Sequence, residues 1–275
     1  MLTRAAPLQE ASDPSTSPER LGRLARHKLP QIRSAVARNP NAPTQALLAL
    51  FDECTEDVKA NPGWGLLLLT NPELRQRELL KIAGFSRDPE ALMGAASEGD
   101  ARVCRTLLAN PALPDDGLTL LAQSDHPEVL LLLAWSPRLP PALLPPVLGR
   151  LARAPLLAAR THAAASPETP AEALAQMASQ DVAEVRRLVA LNPSTPPSTL
   201  AALVQDRDPK TRLHAARNHA TPAEALDALS RDPSIRVRCE AAGNPTTPTA
   251  TLERLARGRP DRSCFAARIE LRSRR

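Results

Sequence analysis

The chain has 275 residues, 35 Lys plus Arg against 30 Asp plus Glu for a net charge of +5, 29 Pro, 10 Gly, 3 Phe, 2 Trp and no Tyr. A hydrophobic fraction of 43% is enough to build a core, and proline plus glycine stay below the level of low-complexity disordered or collagen-like chains. Cys54, Cys104, Cys239 and Cys264 are far apart with no C-x-x-C pair, which argues against a disulfide framework or a metal knuckle. The longest apolar run, Val129 to Trp135, is far too short to span a bilayer.

The first residues, Met1 to Ser17, lack a signal-peptide core, so a cytoplasmic location with no membrane contact is expected, and residues 1–12 read as an N-terminal tail. From residue 13 the prolines fall in register. Asp13, Asn39, Asn71, Asn110, Ser136, Ser166, Asn192, Asn218 and Asn244 each precede a proline, except that His219 follows Asn218. The spacings are 26, 32, 39, 26, 30, 26, 26 and 26, and the last repeat fades near Arg268. A fixed period of this size signals a stacked array. Residues 51–104 and 137–165 are its irregular repeats, and 269–275 read as a basic C-terminal tail.

Each repeat predicts two short helices. Four residues after the anchor stands Pro43, Pro114, Pro140, Pro170, Pro196, Pro222 or Pro248. Thr169, Thr195, Thr221 and Thr247 precede four of these as expected N-caps, with Glu172 and Glu224 completing capping boxes. Leucine pairs such as Leu47/Leu50, Leu118/Leu121, Leu200/Leu203 and Leu226/Leu229 then give the first helix one buried face. The second helix starts at steps such as Asp88-Pro89, Asp208-Pro209 and Asp232-Pro233. It buries Ile32, Val103, Val129, Val185 and Val237 with Val36, Leu107, Leu133, Val189 and Ala241. A following small residue (Ala37, Ala134, Ala164, Ala190, Ala216, Ala242) permits close stacking, and the Asn-Pro step stops the helix. The fold expected is all-α: a right-handed helical-repeat solenoid over residues 13–268, of about nine repeats whose faces are buried only by stacking.

Segments Asp181 to Pro193, Asp208 to Pro222 and Asp232 to Pro248 share an acidic start, an apolar-Arg pair, an Ala-rich turn, Asn-Pro, Thr-Pro and two leucines. In this the chain resembles the leucine-rich repeat variant family, most specifically over 166–260, well over 13–50 and 110–137, and loosely over 51–104. The resemblance implies a superhelix of alternating α and 3-10 helices, so one helix of each pair is expected to be 3-10. One member type carries an iron–sulfur cluster on N-terminal cysteines. No cysteine precedes Cys54 here, so no such cluster, and no other cofactor or metal, is expected. The family supplies no catalytic motif.

The candidate interaction residues are an arginine column and one tryptophan. Arg33, Arg160, Arg186, Arg212, Arg238 and Arg262 stand six residues before an anchor, the last measured from Arg268. Such a ladder either tracks phosphates or an acidic partner, or clamps neighbouring repeats through acids and carbonyls, and the clamp is favoured. The Asn column reads as a ladder bonding neighbouring backbone groups. Trp64 lies in the apolar column seven residues before Asn71 and is assigned to the core. Trp135 precedes its anchor at a position expected to be exposed, in a repeat where Leu130 replaces the arginine. His162 and His214 are two repeats apart, about 20 Å by helix spacing, too far to share a metal.

The expected function is a non-enzymatic protein-interaction scaffold with an unidentified protein partner. The alternative is nucleic-acid backbone binding through the Arg column and the basic ends, with a helical-repeat DNA glycosylase-like enzyme less favoured because aromatic surfaces are scarce. Residues 1–38 hold seven Lys or Arg against three acids and 244–275 hold eight against three, while 39–243 are net acidic. A uniformly basic groove is therefore not expected.

Overall fold

Stretches of Leu, Ala and Val too short to bury themselves fold as α-helices, because each is bounded by proline and completed by its neighbour. A computed structural model describes residues 5–258 and 261–274. The chain divides into two compact parts, residues 1–81 and 82–275. The helices are α1 (Ala5–Ser12), α2 (Pro18–Leu24), α3 (Pro30–Arg38), α4 (Thr44–Leu50), α5 (Thr55–Lys59), α6 (Trp64–Thr70) and α7 (Pro72–Phe85). They continue as α8 (Pro89–Glu98), α9 (Ala101–Ala109), α10 (Asp115–Leu121), α11 (Pro127–Ala134), α12 (Leu144–Leu151), α13 (Leu157–Ala165) and α14 (Ala171–Met177). The last are α15 (Ala183–Leu191), α16 (Pro197–Leu203), α17 (Pro209–Arg217), α18 (Ala223–Leu229), α19 (Ile235–Gly243), α20 (Thr249–Arg257) and α21 (Arg262–Ser273). Among the described residues there are only helices and turns, so the all-α repeat fold holds. Even-numbered helices are the first of a repeat and odd-numbered ones the second.

Four local expectations change. Both helices of a repeat are α, and the one 3-10 turn among the described residues is Pro141–Leu143. The threonines are not N-caps. The helix begins after Pro170, Pro196, Pro222 and Pro248, which make no side-chain cap bond. Thr169, Thr195, Thr221 and Thr247 instead donate their buried Oγ1–H to the carbonyls of Ala163, Val189, Ala215 and Ala241, at 2.5–2.6 Å. They close the preceding helix, whose last carbonyls would otherwise be orphaned. Of the Asp-Pro steps, Asp208 caps α17, whereas Asp88 caps α8, a first helix, and Asp232 lies before Ser234, the residue that precedes α19. Finally, neither terminus is a plain tail. Residues 5–12 form α1 against α3, with Ala11 fully buried where later repeats place Ala37. Residues 262–273 form α21, packed on α19 and α20.

In residues 1–81 the core gathers Leu21, Leu24, Ile32, Val36, Leu47, Leu50, Phe51, Val58 and Leu67. Trp64 packs there by stacking on Phe51, with centroids 5.6 Å apart and planes 12° from parallel. From α13 onward the second helices α13, α15, α17, α19 and α21 pack directly on one another in sequence, whereas the first helices α12, α14, α16, α18 and α20 meet each other far less. The second helices therefore form the tighter side of this stack. No helix among the described residues is long and apolar enough to cross a membrane.

Candidate interaction face

The recurring polar columns are spent on holding repeats together. Asn192 donates its Nδ2–H groups to the carbonyls of Ala164 and Ser166, Asn218 to Ala190 and Asn192, and Asn244 to Ala216 and Asn218, all at 2.7–3.0 Å. Each Oδ1 accepts from a backbone N–H two residues on. Asn110 reaches Ala83 and Ser86 in the same way, and Asn39 reaches Ala11 and Asp13. In the irregular stretch the register differs from the expectation. Asn61, not Asn71, donates to Ala37 and Asn39 at 2.8 Å. Asn71 turns back to Leu67 of its own helix. The short second helix α5 brings the next anchor four residues early, and the absence of a repeat-length spacing hid Asn61-Pro62.

The arginine column is the second clamp. Arg186 is buried and holds Asp206 in a two-pronged pair at 2.6 and 3.1 Å, while its Nη1 donates to the carbonyls of Gln180 and Asp181. Arg212 holds Asp232 and the Asp206 carbonyl likewise. Arg238 donates to the carbonyls of Asp232 and Pro233 and pairs with Asp261. Arg33 pairs with Glu53 at 2.8 Å and donates to the His27 and Lys28 carbonyls. The acid lies 20 residues after the arginine in three of these pairs. At the corresponding place after Arg160 stands Gln180, reached only at 3.5 Å. After Arg238 that place is Gly258, and Asp261 substitutes. A parallel pair joins Arg187 to Asp208 at 2.6 and 3.0 Å.

These contacts set the charge states. Hydrogen bonds from Arg187 and Thr211 hold the Asp208 carboxyl well below the ordinary carboxylate range, outweighing its desolvation. Asp206 is also lowered: burial opposes this, but the Arg186 guanidinium and the Asp208 N–H prevail. Asp261 is lowered chiefly by Ser263 and Arg238. Burial raises the thiols of Cys54, Cys104 and Cys239, which is the reverse of nucleophile activation. His162 and His214 are lowered, first by desolvation. Among the described residues, no three metal-ligating side chains converge.

Arg262 does not belong to this column. Buried residues recur as Thr211/Ala215, Val237/Ala241 and Ser263/Ala267, each 26 residues apart. That phase matches Arg262 with Arg236 and Lys210, which are exposed, and matches Arg238 with the buried Cys264. Six residues before Arg268 is not the column's place, because α21 keeps the 26-residue step of the helices before it.

The second helices expose a face whose residues change from repeat to repeat. One of its columns runs Trp135, Ala165, Leu191, Arg217, Gly243 and Ile269. Trp135 is 64% exposed, as expected, and donates its Nε1–H to His162 Nδ1 at 3.2 Å, with the two rings edge to face. Leu132 and Leu191 are exposed on the same face. Toward the C-terminus the face sinks into a groove of about 860 Å³ whose walls include Lys210, Leu213, Ile235, Arg236, Cys239 and Arg262.

The profile of the leucine-rich repeat variant domain matches residues 5–53, and that of the leucine rich repeat variant matches residues 183–208. A solved structure described as a leucine-rich repeat variant with a novel repetitive protein structural motif is 20% identical, with 90% of this chain and 88% of that chain covered at a TM-score of 0.48. An engineered protein is 18% identical over 97% of this chain and 92% of its own, at a TM-score of 0.30. No curated protein matches. The two profile matches fall on stretches that carry the Asn and Arg clamps, so residues 5–53 and 183–208 are similar to leucine-rich repeat variant repeats.

Proposed function

We propose that the chain is a non-enzymatic scaffold that holds a protein partner on the exposed face of the second helices in residues 82–275. One observation carries this reading. The columns that recur are consumed between repeats, while the columns that vary, with Trp135, Leu191 and Ile269 among them, are exposed. Exposed aromatic and aliphatic side chains on a preformed face are the usual anchors of a protein interface, and helical arrays present such faces without ordering a loop.

The alternative, phosphate tracking along the Arg column, loses its basis because Arg186, Arg212 and Arg238 are already paired with acids and carbonyls. A photo-crosslinking residue placed at position 135 tests the proposal against the same residue at 257, which is exposed on the first helix α20. Protein adducts at 135 and few at 257 are expected. Equal adducts at both, or nuclease-sensitive adducts at 135, would overturn it.

A further inference from the structure

We propose that α17, α19 and α21 form a docking groove for an extended acidic peptide with a carboxylate on every third residue. This deepens the scaffold reading and rests on it for the class of partner.

The groove has a cationic edge. Lys210, Arg236 and Arg262 take equivalent places on the three helices, are exposed, and make no ion pair or side-chain hydrogen bond among the described residues. They stand apart from Arg212 and Arg238 on the same helices, whose guanidinium groups are held by Asp232 and Asp261. Arg217 also lines the groove but is neutralised by Glu240 at 2.6 Å. The same column in the preceding second helices reads Glu128, Ala158 and Glu184, so its sign reverses between α15 and α17. An acidic segment is thus attracted over three repeats and repelled beyond them, which confines where it sits.

Beside the cations runs an apolar strip. The next column, three residues on, is Leu213, Cys239 and Phe265, with Phe265 58% exposed, and Ile269 follows one turn later at 69%. Helices packed in a row are spaced about 8–10 Å apart. A polyproline-type strand advances about 9 Å in three residues and returns every third side chain to the same side. Carboxylates on every third residue therefore meet Lys210, Arg236 and Arg262 in turn, while the residues between them face the apolar strip. A nucleic-acid strand fits less well. It needs charge at every phosphate and rings for its bases, and neither Leu213 nor Cys239 offers a ring.

The test uses the full chain and fluorescence anisotropy with a labelled peptide of three Glu-Pro-Leu repeats. A peptide of the same composition with its Glu residues grouped and a labelled single-stranded DNA of similar length are the references. The repeating peptide is expected to bind more tightly than either and to weaken as salt rises from about 50 to 200 mM. The triple variant K210E/R236E/R262E is expected to lose about tenfold or more, and Arg236→Gln alone about threefold, as for exposed ion pairs. Trp135→Ala should leave this binding unchanged, so failure of the groove and failure of the scaffold reading are told apart by the crosslinks at 135. Wild-type affinity in a triple variant that melts like the parent would overturn the proposal. So would equal binding of the grouped peptide, tighter binding of DNA, or no peptide binding at low salt.

Discussion

Residues 181–258 and residues 110–166 are built from the same repeat, yet they close their seams with different chemistry. In the first, Asn218 and Asn244 supply donors to the previous repeat, and Arg186 and Arg212 each hold an acid 20 residues on. In the second, the anchors that follow Asn110 are Ser136 and Ser166, too short to reach across, and Leu130 stands in the first of its two arginine places, ahead of Arg160. There Arg138 reaches the carbonyls of Asn110 and Leu113 instead, at 2.9 and 2.5 Å, and Arg150 takes those of Gln123 and Ser124. Arg274 does the same at the C-terminal end, donating to Asn244, Pro245 and Thr247. Buried carbonyls need a donor, but any side chain that delivers one will serve. What differs is the cost of losing it.

The largest contrast is expected at the arginines. Arg186→Met would leave Asp206, buried with it, as an unpaired charge and free two carbonyls. Breaking a buried pair in this way costs about 3–5 kcal/mol. Arg160→Met, which loses only a 3.5 Å contact to Gln180, should cost below about 1 kcal/mol. Urea unfolding of the two variants measures the gap, and equal losses would show that the clamp does not depend on its acid. Next in size, Asn218→Ala removes donors from two buried carbonyls and the acceptor of the Ala220 N–H, about 2–3 kcal/mol in all. Ser166→Ala, whose hydroxyl only touches Glu168, should stay within about 0.5 kcal/mol in the same assay.

How far this was legible in the sequence depends on whether a residue's role shows in its spacing. The helix pairs, the Leu and Val columns and the Asn ladder follow from a 26-residue period. So does the preference for reading the Arg column as a clamp. Asn61 escapes a spacing argument because its repeat is short, and α1 does because a single Ala11 carries its membership. The threonines read as caps of the following helix, since a Thr-Pro step looks the same whether the hydroxyl caps forward or closes backward. Lys210, Arg236 and Arg262 were hidden for a different reason. Their column is basic in only three repeats, so recurrence, which marks the Arg column, passes over a surface that varies. The 26-residue spacing from Lys210 to Arg236 to Arg262 was the available clue.

Acid sharpens the comparison further. Asp206 and Asp208 are held below the ordinary carboxylate value of 3.8 by arginine and backbone donors. A carboxyl depressed on folding contributes stability that is present above its unfolded value and lost as pH falls through the folded one. Amide protection, corrected for intrinsic exchange, should therefore fall more in 181–258 than in 110–166 on going from about pH 6 to below about pH 4. An equal fall in both would mean that the Asp column does not carry the difference.

The smallest expected effect lies on the exposed face of the less regular stretch. Trp135 donates to His162 Nδ1, which needs a lone pair there, so His162 is neutral with its proton on Nε2. Burial already lowers the His162 value below 6.5, and protonation would remove the acceptor and place a cation at the indole edge. The sign is that of a depressed histidine: the contact is intact above the unfolded value and is lost as pH falls through the folded one. In a Trp64→Phe background, Trp135 emission should thus titrate with a midpoint below 6.5, and His162→Gln should abolish the titration while leaving the unfolding midpoint in urea unchanged. A flat profile, or a midpoint above 6.5, would mean that the two rings do not pair. The Asn and Arg clamps of 181–258 have no counterpart to this response, because their groups are held by donors that do not titrate near neutrality.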